Sequence, residues 1–393
     1  MKRVYLDHQA GTVVLPEVLE FMEPFFRTEI GVPSSLHSYG LRNREAVELA
    51  RQHCATLVGA EASEEIIFTS SGTESVNLAI KGFALANRHR GRHFISSYIE
   101  HPSLVESLHF LEREGFEVTW IGADNSGLLK LDELKSSVRK ETLLVCTHLS
   151  NFEVGTIQDV KEIAGICRNT DTALFLDANF AAGWMAIEVE DTGIDLLSFS
   201  PHRFYGPKGV GVLYKRRNVR LQPLIHGGSQ EQGKRAGTMN VPAIVGAGKA
   251  AEIALTQMAD RSRHLYNLQK LLLERISEIP HLKLNGPEPG PLRNPWNINL
   301  SAAFTEGEGV ALFMDMRGVA LASSSACFVD QLKISPVLTA MGVAPDTAKG
   351  TIIFTLGQEN TVSEIEYAAD QLKLAVDRLR SMSPEWAVLQ NST

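Results

Sequence analysis

Two hydrophobic periods alternate along most of this chain. Short apolar runs at 66–69, 93–96, 117–121, 143–147, 173–177, 194–199 and 210–214 predict buried strands, because each is bounded by turn-forming residues and is too short for a helix. Between them, apolar positions recur at helical spacing over 74–87, 102–114, 130–138 and 158–168. A strand–helix alternation with short connections predicts an α/β fold whose large, mostly parallel sheet is doubly wound and covered on both faces. A long helical pattern opens near 241. Strands at 296–301 and 351–356 and helices near 306–317, 333–340 and 362–381 follow. This predicts a smaller α+β domain. We therefore expect a large domain over 14–257 and a small domain built from 1–13 and 258–393, with the Pro/Gly-rich 286–295 as a surface loop.

Composition narrows the class without naming a function. With 393 residues, 44% hydrophobic and 21% charged, the chain is long enough for a full core and is not mainly disordered. A formal net charge of −8 argues against nucleic acid or an anionic membrane as partner. The run Lys215-Arg216-Arg217 reads as a solvated strand end. The start, MKRVYLDHQ, has charge but no apolar leader segment, which predicts a cytoplasmic protein. The four cysteines have no CxxC pair and no metal-ligand spacing, so we expect no metal site and no structural disulfide. Cys54, Cys146 and Cys167 read as small buried hydrophobes. Cys327 differs, lying in the small-residue stretch Ser323-Ser324-Ser325-Ala326-Cys327.

Candidate chemistry gathers at predicted strand ends, where open α/β sheets place their sites. Thr69-Ser70-Ser71-Gly72-Thr73 ends a strand and opens a helix, which makes either a phosphate cup or a plain capped turn. Glu100-His101 starts another helix, where a histidine is either a cap or a functional ring. Asp177 ends the strand ALFLD and needs a partner when buried. An apolar strand ends in Ser200-Pro201-His202-Arg203 and turns through Gly206-Pro207-Lys208-Gly209.

These motifs, in order and spacing from Tyr5-Leu6-Asp7 to about residue 380, resemble the cysteine desulfurases of the class V aminotransferase branch of pyridoxal-phosphate (PLP) enzymes. The resemblance implies the fold-type I aminotransferase architecture. It also implies PLP-phosphate contacts at Thr73, Ser200 and His202, with His101 stacked on the pyridine ring and open to proton transfer. Asp177 would face the pyridine nitrogen. Thr238, in the Gly227–Thr238 loop, would be lent across a homodimer interface. Cys327 would be the catalytic cysteine that takes up sulfur as a persulfide and passes it to a sulfur acceptor or iron–sulfur scaffold.

Five positions depart from the family pattern. Arg203 stands where the family has its imine lysine, and a guanidinium offers no neutral amine to a carbonyl. Phe152 and Phe180 replace amides that bond the cofactor's phenolic oxygen. Ile353 replaces the arginine that clamps the substrate carboxylate, and Ser324 replaces a loop glycine. Lys208, five residues beyond Arg203, is a turn lysine of the family and aims elsewhere. The expectation is a desulfurase-like protein without the standard PLP reaction, its PLP binding never an internal aldimine, acting in sulfur transfer or iron–sulfur assembly through Cys327. Two alternatives stay open: an enzyme of altered chemistry that binds PLP or another phosphate ligand, and a regulatory or structural subunit paired with an active paralogue. Asp177 would then need a new cation, and Arg203 is the nearest in the motif.

Overall fold

The computed structural model describes residues 3–323 and 334–390. After β1 (Val4–Tyr5) and the long helix α1 (Ser38–Val58), the chain builds a seven-stranded sheet. Its strands are β2 (Ile66–Thr69), β3 (His93–Ser97), β4 (Glu117–Ile121), β5 (Thr142–His148), β6 (Ala173–Asp177), β7 (Leu196–Phe199) and β8 (Gly211–Lys215). Their spatial order is β2-β8-β7-β6-β5-β3-β4, and only β8 runs against the rest. Core residues such as Phe94, Leu144 and Phe175 on one face and Ile95, Val145 and Leu176 on the other are buried. This two-sided burial is why the strands read as continuous apolar runs. Every predicted strand of this sheet lies within two residues of its expected bounds.

The crossover helices that matter for the site are α2 (Gly72–Asn77), which runs through a π-helical turn (Leu78–Gly82) into α3 (Phe83–Asn87), and α4 (Pro102–Arg113). Helix α5 (Val160–Arg168) has an Asp159 cap, and α6 (Val241–Ile276) opens on an Asn240 cap with Pro242 in its first turn. A second, antiparallel sheet has the order β12 (Ala322–Ser323), β13 (Thr351–Thr355), β10 (Asn297–Ala302), β9 (Leu282–Asn285). Helix α7 (Gly307–Met316) packs on β12 and β13, and α8 (Val362–Arg380) packs on α7 and α6.

The N-terminal segment joins the two sheets. Strand β1 pairs in parallel with β11 (Val319–Ala320), and Asp7 bridges Thr355. Farther on, Thr12 N–H donates to the His202 carbonyl (3.0 Å) and Tyr205 N–H donates to Thr12 Oγ1 (2.7 Å). The strap therefore ends beside Arg203.

Two sequence readings change. The 286–295 loop is exposed only in part: Arg293 and Asn294 are buried, and Asn294 N–H donates to the Gly155 carbonyl. Lys215 is not solvated, because its Nζ donates to the carbonyls of Arg216, Arg217 and Val219, while Arg216 pairs with Glu190 and Asp195. Cys54, Cys146 and Cys167 are free and buried, as expected. Burial pushes the Cys54 and Cys167 thiols up to about 12.

Candidate functional site

The parallel strands deliver the site residues from their C-terminal ends. On one side β2 leads into α2. Ser71 Oγ caps the helix by accepting from Glu74 N–H (3.1 Å), and a β-carbon at Gly72 would collide with Asn179 Oδ1 and Ser200 Oγ. Glycine is thus required for the helix start to approach the β7 end. Thr73 follows at the exposed mouth, and Ser200 is buried. Glu74 accepts from Ser70 N–H (2.7 Å) and pairs with Arg235 Nε (3.0 Å). Against the upward push of burial, these donors hold its carboxyl below the usual range. Glu74 thereby fastens the 227–238 loop to the helix start. Thr238 is exposed, and it shares a cavity of about 190 Å³ with Thr69, Ser70 and Arg235 of its own chain.

Below His101 lies a buried polar network. Glu100 Oε1 accepts from Ser97 Oγ (2.5 Å) and Thr147 Oγ1 (2.8 Å). Gln158 Oε1 accepts from Leu129 N–H, so its amide nitrogen faces His148 Nε2 (3.1 Å) and donates. His148 then carries its proton on Nδ1 and donates it to Glu100 Oε2 (2.8 Å). Asn151 Nδ2 donates to the Ile99 carbonyl, which ties the loop after β5 to the loop after β3. His101 itself caps α4, its Nδ1 accepting from Ser103 N–H (3.2 Å). Burial lowers the His101 pKa, Asp177 raises it, and Arg203 lowers it again.

Asp177 is buried, and all its donors fall on Oδ1: Asn179 N–H (2.9 Å), Asn179 Nδ2 (2.6 Å) and Ser198 Oγ (3.4 Å). The expected direct ion pair with Arg203 is not among the ion pairs of the described residues. Arg203 acts through its charge on Asp7: burial pushes the Asp7 carboxyl up to about 6, and Arg203 pulls it down. Asp7 Oδ1 is buried and has no hydrogen-bond partner among the described residues. His202, next in chain to Arg203, is pushed down to about 4 by burial and then by the charges of Arg203 and Lys208.

The other side of the site is aromatic. The Arg203 guanidinium carbon lies 4.4 Å from the Phe180 ring centre. His101 lies 5.1 Å from Phe152 and 5.8 Å from Phe180, and the two phenylalanines are 5.9 Å apart. Phe180 also stacks on Trp296 (6.4 Å, 10°), and Trp296 stacks on Trp184 (5.4 Å, 14°). Trp184 Nε1 donates to the Arg203 carbonyl (2.9 Å). Asn294 Nδ2 donates to the Phe180 carbonyl (2.8 Å). Ile353 is buried in β13, in register with Asn299 and Ala322.

His101, Asp177, Ser200, His202 and Arg203 thus gather at adjoining strand and helix ends, with Thr73 at the mouth. Cys327, with Ser324 beside it, lies outside the described residues. Asn179, Trp184, Asn294, Trp296 and Asp7 were not picked out as site residues from the sequence. Asn179 follows Asp177 so closely that its spacing could have flagged it; the tryptophans and Asn294 meet the site only through tertiary packing. Among the described residues no cluster of three or more His, Cys, Asp or Glu side chains could hold a metal. No helix among them is long and apolar enough to cross a membrane.

Known proteins carry the same framework. The family model described as Aminotransferase class-V matches residues 4–368. The cysteine desulfurase IscS of Dictyoglomus turgidum is 44% identical over 397 residues, covering 100% of both chains. IscS of Methanosarcina thermophila is 42% identical over 98% of this chain and 94% of its own. Among solved structures, a NifS-like protein superposes with a TM-score of 0.90 at 34% identity, covering 96% of this chain and 100% of that one. The structure titled "SspA in complex with cysteine" reaches 0.80 at 34% identity, over 92% and 100%. The chain belongs to the class V aminotransferase family and, within it, is a homologue of the IscS-type cysteine desulfurases.

Proposed function

We propose that this protein is a cysteine desulfurase relative that has given up the PLP imine and handles sulfur through Cys327, in sulfur transfer or iron–sulfur assembly. The observation that carries this reading is Arg203. The resemblance implies a lysine at this position, and the Arg203 guanidinium lies over Phe180 instead of presenting an amine. A guanidinium keeps its proton under ordinary conditions and offers no neutral lone pair to a carbonyl. Residues suited to a phosphate and a ring nitrogen remain at Thr73, Ser200, His202 and Asp177, but residue 203 does not fit an imine. What remains for Cys327 is exchange: its thiolate attacks the outer sulfur of a donor persulfide, the Cys327 S–S bond forms, the donor S–S bond breaks, and the donor leaves as a thiolate.

The reading carries three further parts. The division into 14–257 and 1–13 with 258–393 is supported by the two separate sheets. A homodimer is supported by exposed apolar side chains at Phe26, Ile30 and Leu36 (65%, 75% and 87% exposed) and by the exposed Thr238 loop. We also propose a cytoplasmic location.

The test is to incubate the purified protein with cysteine, and separately with a small-molecule persulfide. We expect a colourless protein, alanine release at the level of the Cys327→Ala variant, and a persulfide on Cys327 from the persulfide donor. Yellow protein bleached by borohydride, or alanine and sulfide well above that control, overturns the proposal. Failure of Cys327 to accept sulfur, with a lysine-bearing paralogue co-purifying, moves the function to a subunit role.

A further inference from the structure

We propose that Phe180 occupies, with the protein's own ring, the slot between His101 and residue 203 that a flat aromatic ligand would take, so that the pocket is closed to PLP even as a non-covalent ligand. This goes beyond the loss of the imine and rests on the family reading only for the identity of the excluded ligand.

The geometry leaves no second ring position on the measured sides of Phe180. Seating a planar ring between two groups requires roughly 7 Å, two contact distances of about 3.5 Å. From Phe180 the separations are 4.4 Å to the Arg203 guanidinium carbon, 5.8 Å to His101, 5.9 Å to Phe152 and 6.4 Å to Trp296. Each is shorter than a sandwiched ring requires. The ring is also held in place. Asn294 bonds its carbonyl, Trp296 stacks on it at 10°, and Trp184 backs Trp296 while bonding the Arg203 carbonyl. A swing of Phe180 toward Trp296 or Arg203 displaces the stack or the guanidinium above it. Cation–π attraction resists that, and more strongly where the pair is shielded from water. Three departures from the family pattern then belong to one device. Arg203 supplies the cation, Phe180 the filling ring and Phe152 the wall beside it.

The experiment is equilibrium dialysis of PLP against the wild-type full-length protein, Phe180→Ala and Phe180→Leu, with tryptophan emission followed in parallel. Trp296 borders the slot, so a ring seated there quenches its emission. Phe180→Ala should bind PLP at least about tenfold more tightly than wild type, with quenching. Its PLP should dialyse away unreduced by borohydride, because Arg203 is still present. Phe180→Leu, which keeps more of the volume and so guards against a misfolded Phe180→Ala, should gain less but still gain. Wild-type protein that binds PLP as tightly as the variants and releases it on dialysis overturns this inference and leaves the proposed function standing. A borohydride-reducible adduct in wild type overturns both. Folded variants, judged by circular dichroism, that gain no PLP affinity overturn the inference alone.

Discussion

The two sides of the site share the strand ends of one sheet and are built in opposite ways. On the side of α2, Gly72, Thr73, Ser200 and His202 keep small polar groups around a helix start, and tight backbone approach at Gly72 preserves the cup. On the side of β5 and β6, aromatic rings run from Phe152 through Phe180 to Trp296 and Trp184. The polar side is held by the Ser71 cap and by the Glu74–Arg235 pair that fastens a neighbouring loop. The aromatic side is held by packing among residues from 152 to 296. Its substitutions should therefore be coupled to one another, whereas those on the polar side should act singly.

The largest contrast should come from removing the centre of the stack. Trp296→Ala takes a buried ring from between Phe180 and Trp184 and should cost about 3–5 kcal/mol. It should appear as a lower urea midpoint at unchanged slope. Thr73→Ala, exposed at the helix mouth, should stay within about 0.5 kcal/mol. Comparable losses in the two variants would mean that the polar side is as much a part of the core as the aromatic one.

Asn294→Ala tests the link that holds the aromatic side from below. Its Nδ2 donates to the Phe180 carbonyl (2.8 Å) and to Ser150 Oγ (3.3 Å), all within the buried interior. Loss of the amide leaves an acceptor without its donor and should cost about 1–3 kcal/mol. In a double-mutant cycle with Phe180→Leu the two losses should not add, because the bond exists to place that residue. Strict additivity would separate Asn294 from the stack.

How much of this was legible in the sequence divides along the same line. The sheet could be read because buried parallel strands announce themselves as apolar runs between helical repeats. His101, Asp177, Ser200, His202 and Arg203 could be placed because each closes such a run. The aromatic stack could not, since Trp184 and Trp296 are far apart in the chain and neither lies in a motif. The expected Asp177–Arg203 pair failed for a local reason. Asn179, two residues on, satisfies Asp177 Oδ1 with both its N–H and its amide. The 286–295 loop misled because Pro and Gly mark turns but do not tell which end of a loop turns inward.

The remaining expected effect is electrostatic, and its sign differs between Asp7 and His202. Burial raises Asp7, beside Arg203, from its ordinary 3.8 to about 6. The folded protein therefore holds this proton more tightly than the unfolded chain, and the stability it contributes is present below pH 3.8 and lost as pH rises through about 6. His202 runs the other way. Burial, Arg203 and Lys208 lower it from 6.5 to about 4, so its contribution is present above pH 6.5 and lost as pH falls through about 4. The windows overlap between pH 4 and 6, where the two slopes oppose in the wild type. Asp7→Asn removes the first term, so its urea midpoint should rise with pH across this range relative to wild type. His202→Asn removes the second, so its midpoint should fall with pH relative to wild type. Relative slopes of the same sign in the two variants would show that these groups do not titrate as their surroundings in the fold require.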